Sequence, residues 1–179
     1  MKRLYVPLIL FLLVVIEGVA LKLLPANLVM GNSFIIPHWV FVFLVFVAIF
    51  YDKEDTNFGV IYGLIFGLLI DIVYTGILGV YMFTYAVTIY IIQGLKKVFH
   101  ANIYVTLCLG IVGLIIAEVT INVIFLVIGI SEMVWKDYLL YRLLPTLLAN
   151  IVFILILYPL ITRLLIKWRE EQLYESDTF

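Results

Sequence analysis

The chain has 179 residues, of which 66% are hydrophobic and 13% are charged. A soluble domain of this size is about half apolar and about a quarter charged, and its interior is too small to hide so much apolar surface. Composition therefore excludes a soluble globular protein. The net charge of −1 argues against a nucleic-acid partner, and Cys108, the single cysteine, excludes an intrachain disulfide.

Six apolar stretches separated by charged or polar residues predict an all-α integral membrane protein, a bundle of six transmembrane helices. Lipid offers the backbone no hydrogen bonds, so each span must be helical and needs about 20 residues. The predicted spans cover residues 4–24, 34–51, 58–74, 78–95, 103–130 and 138–166. They form one polytopic membrane domain over residues 1–168, followed by a short cytoplasmic tail at 169–179.

The first stretch has an alternative interpretation. A basic start, Met1-Lys2-Arg3, an apolar run and the small residues Gly18-Val19-Ala20 are also typical of a cleaved signal peptide. Glu17 at the would-be cleavage site and the length of the apolar run favour a membrane span.

Proline and histidine stand near the ends of the other spans. Pro37 in the second predicted span and Pro145 in the last predict helix kinks, which membrane helices tolerate. His38 and His100 lie near predicted helix ends, where we expect them at the membrane interface.

The third span carries a stripe of small residues. Gly59, Gly63 and Gly67 recur every four residues and are followed by Asp71, so all four lie on one side of a helix. Glycines on a stripe allow a second helix backbone to approach closely. The stripe is therefore expected to be a helix-packing surface, either a groove for a partner helix or an internal contact of the bundle.

Ionisable residues inside the spans predict a polar cluster. Glu17, Asp71, Glu118 and Arg142 each fall in the outer half of the membrane, and a charge there is costly unless it faces protein or water. Further polar residues continue the same helix faces: they are Asn122, Thr146 and Asn150. The cluster is interpreted as a substrate or ion site or as a structural latch, and Asp71 is expected to pair with Arg142 across the third and sixth helices.

Lysine and arginine predict the orientation. Eight basic residues fall on the side of the N-terminus and three on the other, which favours both termini in the cytoplasm. The inner set comprises Lys2, Arg3, Lys53, Lys96, Lys97, Arg163, Lys167 and Arg169, and the outer set comprises Lys22, Lys136 and Arg142.

Motifs of catalysis are absent from the sequence. There is no phosphate-binding glycine loop, no zinc-protease motif, no nucleophile-elbow motif and no metal-ligand spacing. We therefore predict a protein that is not an enzyme and uses no cofactor, although an intramembrane enzyme stays open as a third class.

Two stretches carry a resemblance to a known family. Gly63 to Met82, with its spaced glycines, Asp71 and a glycine turn, resembles the central signature of the MreD family of rod shape-determining proteins. Tyr141 to Asn150 resembles the last span of that family. The basic N-terminus, the Pro37 position and the overall length are similar as well, so the resemblance covers nearly the whole chain.

The resemblance implies a function in the cytoplasmic (inner) membrane. MreD-like proteins are non-catalytic scaffolds of the machinery that elongates the cell wall, where peptidoglycan synthesis follows the rod shape. Their direct partner is MreC, a single-span membrane protein, and through it they meet MreB, RodA and a class B transpeptidase. The resemblance implies these proteins and the lipid bilayer as partners, and it implies no nucleic acid.

The implied fold also supplies the alternative function. It is similar to the substrate-binding components of energy-coupling-factor vitamin transporters, which are six-helix proteins with a pocket that opens outward. The outer-half polar cluster would suit such a pocket, whereas the short loops and the motif order around Asp71 favour the MreD-like interpretation.

Overall fold

The computed structural model describes residues 4–23, 34–53, 56–99 and 101–176, except for the side chains of Leu21 and residues 172–176. Over these ranges the chain forms six helices joined by short non-helical segments, without a β-strand. Lys2, Arg3, Leu24, His100 and the end of the predicted tail lie outside the described residues, so the predictions made for them have no structural counterpart.

The six helices follow the predicted order with different bounds. They are α1 (Tyr5–Leu23), α2 (Trp39–Phe46, continued by a π-helical turn Val47–Tyr51), α3 (Phe58–Ile70, continued by a π-helical turn Asp71–Thr75), α4 (Val80–Lys96), α5 (Ile103–Val127) and α6 (Trp135–Tyr138, a π-helical turn Leu139–Leu143, then Leu144–Ser176).

Among the residues that the structure describes, three helices are long and apolar enough to cross a membrane, at Phe58–Thr75, Ile103–Val127 and Trp135–Glu171. Shorter apolar helices are found at Tyr5–Ala20 and Trp39–Tyr51. The described chain is thus an all-helical membrane protein whose core consists of apolar helices.

Helix α2 is the central element of the bundle. Every residue from Val40 to Tyr51 is buried, and each of the other five helices packs against it. A helix that is apolar on all sides is stable only when it is surrounded. The run of Val, Phe, Leu and Ile in this segment therefore fixes α2 in the middle.

The second predicted span begins later than the sequence indicates. Residues 34–38 are not helical, and α2 starts at Trp39. Proline disfavours the helical conformation of the residue before it and has no N–H to donate. Pro37 therefore gives a non-helical approach to α2, the entry segment 34–38, rather than the kink predicted inside a longer helix.

Candidate functional site

The entry segment is held by hydrogen bonds from α6. The backbone N–H of Ile36 donates to Thr146 Oγ1 at 3.1 Å, and that of His38 donates to Asn150 Oδ1 at 2.9 Å. In return, the Asn150 amide donates to the Ile36 carbonyl at 3.0 Å. Since residues i and i+4 share a helix face, these two α6 side chains act like the edge of a neighbouring strand and satisfy non-helical backbone at membrane depth.

Pro145 contributes to the same contact. A proline inside a helix leaves the carbonyl four residues earlier without its usual donor, and for Pro145 that carbonyl belongs to Tyr141. The N–H of Phe34 donates to the Tyr141 carbonyl at 2.7 Å. A π-helical turn, Leu139–Leu143, lies just before Pro145, and the Tyr141 carbonyl within it accepts the hydrogen bond from the entry segment.

Glu17 completes the support of the entry segment from α1. Its Oε2 accepts the backbone N–H of Val40 at 3.0 Å, and the side chain is 4% exposed. The first N–H groups of a helix have no partner within the helix. Glu17 therefore supplies, from another helix, the acceptor that the N-terminus of α2 needs.

Glu118 is the centre of a buried ionic network. Its Oε1 lies 2.6 Å from His38 Nε2, and its Oε2 accepts the Arg142 Nε–H at 3.2 Å and the Tyr138 hydroxyl at 3.3 Å. Both Glu118 and His38 are fully buried. On the other side of the ring, His38 Nδ1 lies 3.0 Å from the Tyr85 hydroxyl. The network joins α4, α5, α6 and the entry segment, with each carboxyl oxygen occupied.

The expected pairing of Asp71 with Arg142 is wrong. Asp71 accepts the backbone N–H groups of Gly79, Tyr81 and Met82 at 2.8, 2.9 and 3.2 Å. It therefore caps the N-terminus of α4, where acceptors for orphan N–H groups are favoured. Arg142 pairs with Glu118 instead. Similar depth in the membrane was a poor guide because the backbone of the following turn offered Asp71 closer partners.

His38 was the residue that sequence reasoning misplaced. It was expected at the interface, but it is fully buried and bonded on both ring nitrogens. The one signal available was its position directly after Pro37 in an apolar run. A polar ring at that point needs buried partners when the chain enters the bundle without forming a helix.

Asn122 lies one turn after Glu118 on α5, at 1% exposure. Its amide nitrogen has no hydrogen-bond partner among the residues that the structure describes. The structure therefore brings the predicted polar residues together around the entry segment in two groups. The first group binds backbone groups of the entry segment and of α2, and consists of Thr146, Asn150 and Glu17. The second group is the pair of Glu118 and Arg142. Neither group includes Asp71 or Asn122.

The glycine stripe is an internal contact. A Cβ placed on Gly67 would lie 2.7 Å from the Met82 Cα and from the Tyr81 carbonyl oxygen, and one on Gly63 would lie 3.3 Å from the Ala86 backbone nitrogen. Gly59 faces the Asp52 carboxylate and Ile89. Helix α4 of the same chain occupies the stripe, so the alternative of a partner groove at these glycines does not fit this geometry.

A second polar cluster lies at the opposite end of the bundle. The Asp52 carboxylate accepts the N–H groups of Phe58 and Gly59 at 2.9 and 2.8 Å and a hydrogen bond from the Gln93 amide. The Lys96 ammonium donates to the carbonyls of Ala48 and Asp52 at 3.0 and 2.7 Å. Burial raises the pKa of Asp52 to about 6, against the lowering effect of these hydrogen bonds.

Among the described residues, no three His, Cys, Asp or Glu side chains stand together as metal ligands. The cluster around the entry segment supplies acceptors and donors to the backbone of that segment. What this arrangement can do chemically is to hold non-helical backbone and a charge pair inside the membrane.

Comparison with known proteins gives one consistent answer. The family model described as rod shape-determining protein MreD matches residues 1–168. The chain is also 32% identical over 163 residues to the rod shape-determining protein MreD of Bacillus subtilis (strain 168), which covers 88% of this chain and 90% of that protein. No solved structure matches. Similarity to the vitamin-transporter components, in fold or in function, therefore has no support.

Proposed function

Because the chain belongs to the MreD family of rod shape-determining proteins, we propose that it is a non-catalytic membrane scaffold of the cell-wall elongation machinery. The family has a role in determining rod shape. The observation that carries the scaffold assignment is the outer polar cluster: Glu17, Thr146 and Asn150 are spent on the backbone of the entry segment and of α2. Such a cluster stabilises the bundle and leaves few free groups for a ligand.

The proposal includes six spans with both ends in the cytoplasm. Eight basic residues against three support it. A contact at one end of the bundle supports it as well: the rings of Tyr5 and Trp168 lie 5.4 Å apart. The start of α1 and the last turns of α6 are therefore neighbours, as expected when both ends of the chain lie on one side of the membrane.

A cysteine-labelling experiment tests this topology. With Cys108 replaced by serine, a reporter cysteine at Lys97 should react only with reagent on the cytoplasmic side. One at Ser131 should react only with reagent on the outer side. A reporter at Ser131 that labels from the cytoplasm alone would refute the topology.

A scaffold needs a surface for a spanning partner, and we place the contact with an MreC-like single-span protein on the outside of α1. Its exposed side is a continuous apolar face formed by Leu8, Phe11, Leu12, Val15 and Val19. The glycine stripe is covered by α4 and is not available. Through the MreC-like protein the scaffold would meet MreB, RodA and a class B transpeptidase.

The partner contact can be mapped by photocrosslinking in cells. A photoreactive phenylalanine analogue at Phe11, which is 58% exposed, should crosslink to the single-span partner. The same analogue at Leu10, which is buried on the same helix, should not. Crosslinks confined to other helices would move the partner surface away from α1.

The function itself is tested by depletion in a rod-shaped host. Depleted cells should become round and wide, with misplaced wall synthesis, whether or not vitamins are supplied. Cells that stay rod-shaped but require a supplied vitamin would overturn the scaffold proposal and favour a transporter component.

A further inference from the structure

A cavity of about 440 Å³ opens where the C-terminal ends of α2 and α4 meet the N-terminal end of α3. Three lysines, Lys53, Lys96 and Lys97, line it together with Thr56 and Asn57. The Glu118 network lies nearer the other end of the bundle. This cavity is therefore a separate feature that the scaffold role does not use.

The charges of the cavity leave two cations for a ligand. The Lys96 ammonium is held by two backbone carbonyls, and the Asp52 carboxylate is spent on the N-terminus of α3 and on Gln93. Lys53 is half-buried and Lys97 is exposed, and neither forms an ion pair with a described residue. Two ammonium groups over one cavity favour an anion, and phosphate is an acceptor that lysines bind readily.

The wall also offers an acceptor. Gln93 is 8% exposed; its amide nitrogen donates to Asp52, while its carbonyl oxygen has no hydrogen-bond partner among the described residues. A buried acceptor without a donor is costly. A ligand that carries hydroxyl groups beside its phosphate would match both the cations and this oxygen.

The rim of the cavity is apolar and exposed. Tyr90, Ile91, Val98 and Phe99 line the same cavity, and their exposed fractions are 66%, 37%, 75% and 51%. Aromatic and apolar side chains around lysines at helix ends are typical of the level at which lipid headgroups meet acyl chains. The rim thus provides a path for hydrocarbon chains away from a headgroup in the cavity.

The geometry points to a binding site for the headgroup of an anionic glycerophospholipid, with phosphatidylglycerol as the chemical type. The phosphate binds between Lys53 and Lys97, the glycerol hydroxyls lie toward Gln93, and the acyl chains leave over Val98 and Phe99. The site is independent of the scaffold proposal, because it concerns lipid recognition by the purified protein and not cell shape.

Native mass spectrometry of the protein in mild detergent tests the site. The wild-type chain should retain one phosphatidylglycerol in preference to phosphatidylcholine. Since each lysine near an anionic headgroup contributes roughly a five-fold gain in affinity, Lys53→Gln with Lys97→Gln should lower the affinity about 25-fold. The matched control Lys136→Gln removes an exposed lysine at the other end of the bundle and should leave binding unchanged.

Four results would overturn the assignment. Equal binding of phosphatidylcholine, or an equal loss in Lys136→Gln, would show that the cavity lysines do not select an anionic lipid. Displacement by glycerol 3-phosphate at the same concentration as the lipid would mean that a soluble phosphoester is the ligand. Glu54 and Asp55 follow Lys53 in the sequence; binding that appears only in the Glu54→Gln/Asp55→Asn chain would mean that the lysines are neutralised within the protein.

Discussion

At the scale of single residues, each buried carboxylate serves a different partner. Glu17 accepts a helix N–H from another helix, Asp71 caps the helix that follows it, and Glu118 binds three side chains, those of His38, Arg142 and Tyr138. Burying a carboxylate is tolerable only when its oxygens are occupied. The position of each acid is thus explained by a specific donor rather than by a shared ligand.

Glu118 and Arg142 should be energetically coupled. Losing one partner of a buried pair typically costs about 3–5 kcal/mol, because the remaining charge stays inside the bundle without its counter-charge. Glu118→Gln and Arg142→Gln should each lower the free energy of unfolding, measured by denaturation with SDS in mixed micelles. The double variant should recover at least about 1 kcal/mol of the summed loss.

The control for that cycle is Asp71→Asn combined with Arg142→Gln. These residues share no hydrogen bond in the structure, so their effects should add. A coupling as large as that of Glu118 with Arg142 would contradict the assignment of Asp71 to the α4 N-terminus.

Asp52 should make stability depend on pH. Burial raises its pKa from 3.8 to about 6, so the folded state binds the proton more tightly than the unfolded state. The stability that this group contributes is complete below pH 3.8 and is lost as pH rises through about 6. The shift corresponds to at most about 3 kcal/mol.

The Asp52→Asn variant measures this directly. Relative to wild type, it should gain stability as pH rises from 4 to 7 in the thermal unfolding of the purified protein. It also loses one carboxylate acceptor at every pH. A difference between the two proteins that stays constant over this range would show that Asp52 titrates normally.

At the scale of elements, the π-helical turns and the glycine turn each provide a contact between helices. The π-helical turn before Pro145 leaves the Tyr141 carbonyl for Phe34, and Asp71 begins another π-helical turn and caps α4. Between α3 and α4 the chain passes through Gly76 and Gly79, whose φ values of 68° and 101° suit glycine. This turn places the glycine stripe against the backbone of α4.

Alanine substitutions should distinguish, by their effect on the free energy of unfolding, glycines packed against backbone from glycines with open space beside them. Gly67→Ala places a methyl group 2.7 Å from backbone atoms of α4, and backbone cannot move away cheaply. It should cost about 1–3 kcal/mol of unfolding free energy, and Gly63→Ala should cost less.

Gly94→Ala is the matched control in helix α4. Its Cβ would meet no atom within 4 Å, so the change should be neutral or should stabilise by about 0.5–1 kcal/mol. Equal costs at all three positions would contradict the close packing of α3 on α4.

The entry segment should open when Asn150 is replaced. Asn150→Ala removes the acceptor of the His38 N–H and the donor to the Ile36 carbonyl, each worth about 1–3 kcal/mol when its partner stays buried. Hydrogen exchange of peptides covering residues 34–40 should accelerate, while α3 and α4 stay protected. Thr146→Val should have a smaller effect, since it removes the acceptor of one backbone N–H and one weaker donor contact. Uniform acceleration across the chain would mean global destabilisation instead.

The sequence predicted the elements better than their contacts. The charged and polar residues between the apolar stretches located the six helices, and the glycines spaced four residues apart identified the packing face of α3. Contacts between side chains and a non-helical backbone have no periodicity, so neither the entry segment nor the role of His38 could be predicted. The polar residues were found because charge in an apolar run is conspicuous; their partners depend on which backbone groups the fold leaves unpaired.

At the scale of the whole molecule, the bundle is built around α2. The surrounding helices expose long apolar faces, and α6 extends furthest: its last segment has 33 residues, or about 50 Å at about 1.5 Å per residue. This exceeds the roughly 30 Å hydrocarbon thickness. The ring of Trp168 against Tyr5 joins the last turns of α6 to the start of α1.

Two truncations should define where the folded bundle ends. A chain that stops after Arg169 keeps the Tyr5–Trp168 contact and should unfold at the wild-type temperature. A chain that stops after Lys167 loses it and should be destabilised by about 0.5–1.5 kcal/mol or more. Equal stability of the two truncated chains would show that Trp168 does not hold α1.

The hydrogen bonds between the entry segment and α6 have a consequence for biosynthesis. Their partners are separated by 110 to 114 positions in the chain, so the ribosome makes residues 34–38 long before Thr146 and Asn150. Until then, the unpaired N–H and C=O groups of this segment would cost several kcal/mol each in hydrocarbon. We therefore expect residues 34–38 to reach their final position only after Thr146 and Asn150 have been made, and a nascent chain that ends before Thr146 to keep this segment outside the hydrocarbon.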